Sequence, residues 1–412
     1  MSEKTLILLT KQFPYQHREQ YVAHELVYLA KSFDRVFIYP HDHFGKEEKI
    51  SFSLPENVEV IDLNRQIIPE KKIAVFKSFI SAFYFEFFRT HSKWWLLKNA
   101  MRFYSIYATQ FALGSGLERF IEQNKLDKKN IVYYSYWFSA SALCLAILKS
   151  RKRISRFVSR AHALDLYHED WGLLNEKTRV LPFRNFKQKY VDVIFSISNH
   201  GKKYLNKKYP SIREVEVNYL GVKDEGLNPE STISDGLFVI VTCSGIDDNK
   251  RIHLLGESLS RLNLPVNWIH FGDGHQKAMA LKSVSSDLVQ FEVKGQTPNA
   301  EIRKFYSEHH IDLFVNLSRV EGLPVTIMEA LSHGIPVLAT RANGTPEAVV
   351  DGITGKLVEV DFNTKTLDTV LNEIISNSGK LSSMRIEARK LFAQKFDADK
   401  NYILFADALT KY

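Results

Sequence analysis

Short apolar runs alternate with helical stretches along most of the chain, and this rhythm restricts the fold more than any other feature. A run too short for a helix, bounded by Gly, Pro, Asn or charged residues and followed by a helical pattern, reads as a βα unit feeding a parallel sheet. Candidate strands in the first half are Thr5–Leu9, Val36–Tyr39, Val58–Ile61, Ile131–Tyr134 and Val193–Ile197. The second half repeats the rhythm at Phe238–Thr242, Asn267–Phe271, Val289–Val293, Leu313–Asn316 and Pro336–Ala339. Between the halves, Lys223 to Gly236 is polar, holds two Gly and one Pro, and reads as an interdomain linker. The expected fold class is therefore α/β: two doubly wound parallel sheets, with a cleft at the carboxyl ends of their strands where such sheets bind ligands. The expected boundaries are 1–224, a linker at 225–236, 237–395, and a terminal helix at 396–412.

Composition narrows the class further. With 412 residues, 45% apolar and 25% charged, the chain is long enough for two full cores, and disorder is excluded. Cys144 and Cys243 stand far apart and outside any Cys-x-x-Cys pattern, which excludes a disulfide scaffold and a zinc knuckle. No apolar run approaches the roughly 18 residues of a membrane span, and the start lacks the pattern of a signal peptide. A cytoplasmic protein is expected. The net charge of +8 suits nucleic acid, anionic lipid or a phosphorylated small molecule, so its location must decide.

Much of that charge sits in one place. Between Arg65 and Tyr104 there are eight Lys or Arg against two acids, Glu70 and Glu86, and they are interleaved with Phe, Tyr and Trp. The basic aromatic stretch, about 65–111, reads in more than one way. It is a helix lying on an anionic membrane surface, or a helical insertion whose rings pack on the first domain, with docking of a partner helix as a third reading. The stretch matches no nucleic-acid recognition module, and no nucleic-acid partner is expected.

Three clusters carry candidate chemistry. In Asn316 to Thr340 a strand end leads through Glu321 and Gly322 to Pro324, a residue suited to opening a helix, with Glu329 more than one turn inside. Two carboxylates at different heights and a helix start suit a hydroxyl-rich or anionic ligand. In Val239 to His253 a strand opens into Ser244-Gly245, followed by Lys250 and Arg251, a phosphate site in outline. In Ser159 to Tyr167 the residues Arg160, His162 and Asp165 read as one strand-end loop. His309, His310 and His333 read as structural, and Asp397-Ala-Asp399 as a helix cap; no metal site is expected. Phe271-Gly-Asp-Gly274 and Lys294-Gly-Gln296 read as strand-end turns, neither being a dinucleotide or Walker motif.

Taken together, Glu321-Gly-Leu-Pro324, Glu329-Ala-Leu, Gly334-Ile-Pro-Val and Gly344-Thr-Pro-Glu347 resemble the retaining glycosyltransferases of family 4, in the branch that builds bacterial capsule, exopolysaccharide or lipopolysaccharide. Weaker resemblance extends to Tyr134-Ser-Tyr-Trp137, Arg160 to Tyr167, Ser198, Leu220-Gly-Val222, Phe13-Pro-Tyr15, Glu19 and Glu25. The resemblance implies the GT-B fold, two Rossmann-like domains with an acceptor-side N-terminal domain and a C-terminal helix returning to it. It implies transfer from a nucleotide sugar, UDP-linked by expectation, to a lipid-linked or oligosaccharide acceptor, with no other cofactor required. On matching positions it implies that Glu329 takes the ribose hydroxyls, Glu321 the sugar hydroxyls and Lys250 the diphosphate, with His162 close to the donor sugar. Glu321, His162 and Lys250 are thus the catalytic candidates. Ser244, Gly245, Arg251, Gly322, Leu323, Pro324 and Gly295 are expected around the donor, and Arg160 and Asp165 in the cleft or at the acceptor.

Two positions depart from the family. Gly245 stands where an arginine is usual, so Arg251 or a residue elsewhere in the cleft is expected to supply the second cation. Gln12 to Arg18 replaces the glycine-rich loop after the first strand. The alternatives are another GT-B activity, a nucleotide-sugar epimerase or a phosphorylase, and an inactive membrane-docked scaffold.

Overall fold

The computed structural model describes residues 3–15, 19–42, 49–62, 66, 70–89, 93–167, 182–230 and 237–412. The chain forms two compact units. One comprises Met1–Ile197, Gly201–Asn218 and Tyr402–Tyr412, the other Ser198–His200 and Tyr219–Asn401.

The first unit is built on seven strands: β1 (Thr5–Thr10), β2 (Arg35–Pro40), β3 (Val58–Val60), β4 (Ile131–Ser135), β5 (Val158–Ala161), β6 (Val193–Ser196) and β7 (Val215–Val217). They pair in parallel in the order β3-β2-β1-β4-β5-β6-β7. Every residue of β1 and β4 is buried, as a parallel sheet covered by helices on both faces requires. Phe405, Ala406 and Leu409 of the last helix, Ala398–Leu409, lie in this core with Leu6, Leu8, Leu26 and Tyr134. The terminal helix thus closes the first unit, as expected.

The second unit carries β8 (Phe238–Cys243), β9 (Val266–Phe271), β10 (Val289–Gly295), β11 (Leu313–Asn316), β12 (Val337–Thr340) and β13 (Gly355–Val358). All pairings are parallel, in the order β10-β9-β8-β11-β12-β13. Both sheets are doubly wound, with the strand order reversing between β1 and β4 and between β8 and β11. This is the GT-B architecture.

Three expectations need correction. Val158–Ala161 is a strand of its own, so Arg160 lies in the sheet and not in a loop after it. The boundary between units falls at Asn218 and Tyr219, earlier than residue 224. The polar stretch expected to be a linker is, up to Glu230, folded onto the second unit: Asn228 donates to the carbonyls of Tyr306 and His309, at 2.5 and 2.7 Å, and accepts from Ile311 N. Its last part, 231–236, lies outside the described residues, as do Arg65 and residues 16–18 of the loop after β1.

The basic aromatic insertion is helical, at Lys72–Arg89, Lys93–Lys98 and Ala100–Gln123. Its inner face packs Phe79, Phe103 and Tyr107 around Phe183, with ring centroids 5.2 to 6.3 Å apart. Glu86 is buried there and accepts from Asn185 and Phe186 N at the start of helix Arg184–Tyr190. The outer face is exposed at Ile73, Phe76, Ile80, Tyr84 and Phe88, and then at Trp94, Leu97 and Met101. Ring packing and an outward apolar face therefore coexist in one insertion. No helix among the described residues is long and apolar enough to cross a membrane.

Candidate active site

In the second unit the reversal of strand order directs attention to the loops after β8 and β11, where a crevice opens at the carboxyl end of a doubly wound sheet. The loop after β8 begins with Ser244-Gly245. Gly272 has φ +136°, and a Cβ on it would lie 1.8 Å from Ser244 O; a Cβ on Gly274 would lie 2.3 Å from Ile246 O. Gly272 N also donates to Gly295 O at 2.8 Å. The turns after β8, β9 and β10 are therefore stacked backbone on backbone, and only glycine permits that approach. Gly295 has φ +73° and faces open space, and a Cβ on Gly245 would meet only ordinary contacts, the nearest 3.6 Å away.

Lys250 is brought to this rim by a turn in which Asp247 Oδ1 accepts from Asn249 N and Lys250 N, each at 3.0 Å. Its Nζ donates to Glu321 Oε1 at 2.5 Å, joining the loop after β8 to the loop after β11. Asn249, which the sequence reading passed over, ties the same two loops: its Oδ1 accepts from Val320 N and its Nδ2 donates to Val320 O. Glu321 N donates to Asn343 Oδ1 at 3.3 Å. A Cβ on Gly344 would lie 1.7 Å from Gly322 O, so the Gly344-Thr-Pro-Glu347 segment supports this loop by close backbone contact.

Arg251 is a correction. It has φ +54°, is 5% exposed, and points inward, with Nε donating to Leu317 O and Nη1 to Val360 O, both at 2.7 Å. Burial, with Arg319 nearby, lowers its pKa to about 10. Its guanidinium braces three chain segments and does not serve as a second cation beside Lys250.

Glu329 lies in helix Val325–Ser332 and is 3% exposed. Pro324 takes the cap position just before the helix, accepting from Ile327 N at 3.1 Å, and Leu323 is buried beneath it. Glu329 Oε1 accepts from Asn299 Nδ2 at 2.8 Å, while Oε2 is buried without a partner. Burial pushes the carboxyl up to about 7. An unpaired buried carboxylate oxygen costs about 1–3 kcal/mol or more, a penalty that a ligand hydroxyl removes.

The remaining candidates belong to the first unit. His162 is packed against Trp137, Tyr136 and Tyr21, at centroid distances of 4.4, 5.0 and 6.4 Å, and its Nε2 has no partner among the described residues. Burial, reinforced by the Arg160 charge, lowers it to about 3, so the ring is neutral. Arg160 is fully buried: Nη2 pairs with Glu25 Oε2 and donates to Asn218 Oδ1, and Nε donates to Tyr134 OH, each at 3.0 Å. It is framework and not a cleft residue. Asp165, 2% exposed, accepts from His162 N at 3.1 Å and so orients the histidine's backbone. Glu19 was found only through resemblance; it accepts from Gln12 N, Phe13 N and Trp137 Nε1, each at 2.6 Å. Its carboxylate occupies the loop amides that face an anion in a glycine-rich turn. Within the second unit, Glu347 accepts from Asn199 N, His200 N and Tyr219 OH.

The structure thus brings Lys250, Glu321 and the three glycine turns together in the second unit and holds Glu329 in the adjoining helix, with His162 in the first. Comparison with known proteins bears on the fold and the family. Residues 224–391 match the family described as glycosyl transferases group 1. An uncharacterized glycosyltransferase of Methanocaldococcus jannaschii is 26% identical over 282 residues, 68% of this chain and 75% of that protein. Among solved structures, sucrose-phosphate synthase from Thermosynechococcus elongatus superposes with a TM-score of 0.72 at 14% identity, covering 99% of this chain and 98% of that one. Anabaena HepE, solved with UDP and glucose, gives 0.67 at 15% identity over 99% and 100%. At these identities the superpositions establish the fold. Fold and sequence matches together support a glycosyltransferase of the GT-B type.

Proposed function

We propose that the protein moves a sugar from a nucleoside-diphosphate sugar, with UDP as the nucleotide, to a lipid-linked or glycan acceptor in bacterial surface polysaccharide assembly, retaining the anomeric configuration. The observation that carries this is the unpartnered, buried Oε2 of Glu329, near the Lys250–Glu321 pair at the reversal of strand order. In this reading Glu329 accepts ribose hydroxyls and Lys250 leaves Glu321 to meet the diphosphate, freeing Glu321 for hydroxyls of the sugar. Charge develops on the departing diphosphate, and Lys250 and loop amides stabilise it. His162, held neutral by burial, is an uncharged polar group and no general acid in this reading. The nucleotide sugar is the co-substrate and no other cofactor takes part. Retention follows a front-face path, in which the departing phosphate oxygen takes the acceptor proton.

The test is a thermal-shift series with UDP, GDP and ADP. A nucleotide at 100 times its Kd is expected to stabilise the protein by about 2.7 kcal/mol. Glu329→Ala is expected to abolish that shift. A wild-type protein indifferent to all three nucleotides overturns the proposal.

The same reading includes docking on an anionic bilayer through the insertion. Ile73, Phe76, Ile80, Tyr84 and Phe88 form an exposed apolar row, continued by Trp94, and Lys72, Lys77, Arg89, Lys93, Lys98 and Arg102 surround it. Apolar rings beside cations match an acyl boundary under anionic headgroups. Reversing Lys93, Lys98 and Arg102 to Glu is expected to abolish co-sedimentation with phosphatidylglycerol-containing vesicles while UDP binding stays unchanged. Loss of both together assigns the insertion to the fold alone.

A further inference from the structure

We infer that Asn299 is the positioning residue of Glu329: oriented by an Arg303–Glu225 pair, it holds one carboxylate oxygen so that the other is reserved for the nucleotide. The inference rests on the reading of Glu329 given above. Asn299 opens helix Asn299–Glu308, directly after Pro298, and Arg303 lies one turn further on. Arg303 Nη1 donates to Asn299 Oδ1, and Arg303 Nε donates to Glu225 Oε2 at 2.9 Å. Arginine has donors only, so the amide oxygen of Asn299 must face Arg303 and its NH2 must face Glu329. The chain Glu225, Arg303, Asn299, Glu329 therefore has one consistent direction of hydrogen bonding. Arg303 is itself buried and Glu225 is one-third exposed, which anchors the relay at the unit's surface.

The chemistry follows from that direction. An oxygen accepting an amide N–H is the poorer place for a proton, so a proton taken up by Glu329 goes to Oε2, the atom that would meet a ribose hydroxyl. Several charged or titratable groups surround this carboxyl. Arg303 and Glu225 act through the relay, and Cys243 at the end of β8 and Tyr306 on the Asn299 helix are kept protonated by burial, Lys250 acting on Cys243. Arg389, on the helix packed behind, is engaged with Ser332 O and Asp224. Burial raises the carboxyl to about 7 and the Asn299 donor opposes the rise. Nucleotide binding uses the charged form, so affinity is complete above this value and falls as pH drops through it. Without the donor the value moves higher, and affinity at neutral pH falls but recovers in alkali.

The experiment is calorimetric titration of UDP, GDP and ADP from pH 6 to 9 into wild type, Asn299→Leu, Asn299→Asp and Glu329→Ala. Asn299→Leu removes both bonds at similar size. Asn299→Asp places an acid at the helix start, where it is tolerated, and keeps an oxygen for Arg303 but removes the donor, and it serves if the leucine variant fails to fold. For the nucleotide that binds most tightly, both variants are expected to lose about fivefold affinity at pH 7, as a midpoint raised by one unit from about 7 requires, and to approach wild type at pH 9. A loss equal at every pH, or none, overturns the relay while leaving the nucleotide reading intact. If Glu329→Ala binds like wild type, or no nucleotide binds wild type, the nucleotide reading fails and the relay falls with it.

Discussion

Lys250→Ala is expected to lower kcat/KM for nucleotide-sugar hydrolysis by about 10²–10³-fold, the usual consequence of removing a group aimed at charge that develops in the transition state. Lys250 lies where the strand order reverses, on a turn fixed by Asp247, and its Nζ is 2.5 Å from Glu321. Arg251 cannot take over, because its guanidinium is bound to the carbonyls of Leu317 and Val360. Side chains in the pair are 23% and 12% exposed, and such half-open ion pairs contribute little to folding, so stability should change by about 1 kcal/mol or less. Release of the nucleoside diphosphate, followed in parallel with the melting temperature, checks both halves. A fall in activity below tenfold, or a collapse of stability that accounts for it, removes Lys250 from the chemistry.

Arg160→Met is expected to destabilise the first unit by about 3–5 kcal/mol, because it leaves the Glu25 carboxylate buried with its cation gone. Both side chains are almost wholly buried, and the guanidinium also holds Asn218 and Tyr134 and lies 3.9 Å from the Phe405 ring centroid. Glu25 keeps the hydrogen bond from Tyr134 OH. Denaturant unfolding of wild type, Arg160→Met and the double variant with Glu25→Leu checks this, the double variant being expected to recover much of the loss. If Arg160→Met folds as stably as wild type but loses activity, Arg160 meets a ligand after all.

The βα rhythm disclosed two doubly wound sheets because long parallel strands such as Thr5–Thr10 are buried on both faces and stay continuously apolar. It missed β5, β7 and β13. Val-Ser-Arg-Ala carries a polar pair, Val-Glu-Val of β7 stops at Asn218 where the same three residues of β3 run on into Ile61, and Gly-Lys-Leu-Val reads as a turn. Lys250, Glu321 and Glu329 were singled out by the order of the Glu321-Gly-Leu-Pro324 and Glu329-Ala-Leu motifs, since a charged pair after a turn is by itself more often a solvated helix start. Asn249, Asn299 and Arg303 were not. An asparagine by a turn or a proline reads as local punctuation, and the partners lie 71, 30 and 78 residues away. The polar composition of 223–230 likewise concealed Asn228, whose amide is fully used inside the second unit.

The placement of Tyr402–Tyr412 in the first unit bears on how the chain is made. Phe405, Ala406 and Leu409 complete a core whose other members begin at Leu6, yet in synthesis they follow every strand of the second unit. On the ribosome, where domains generally fold as they emerge, the second unit can finish its sheet while the first still lacks its last helix. The earlier half of the sequence is therefore the later to mature, its core open to water on the side of Leu6, Leu8 and Tyr134 until the last helix is made.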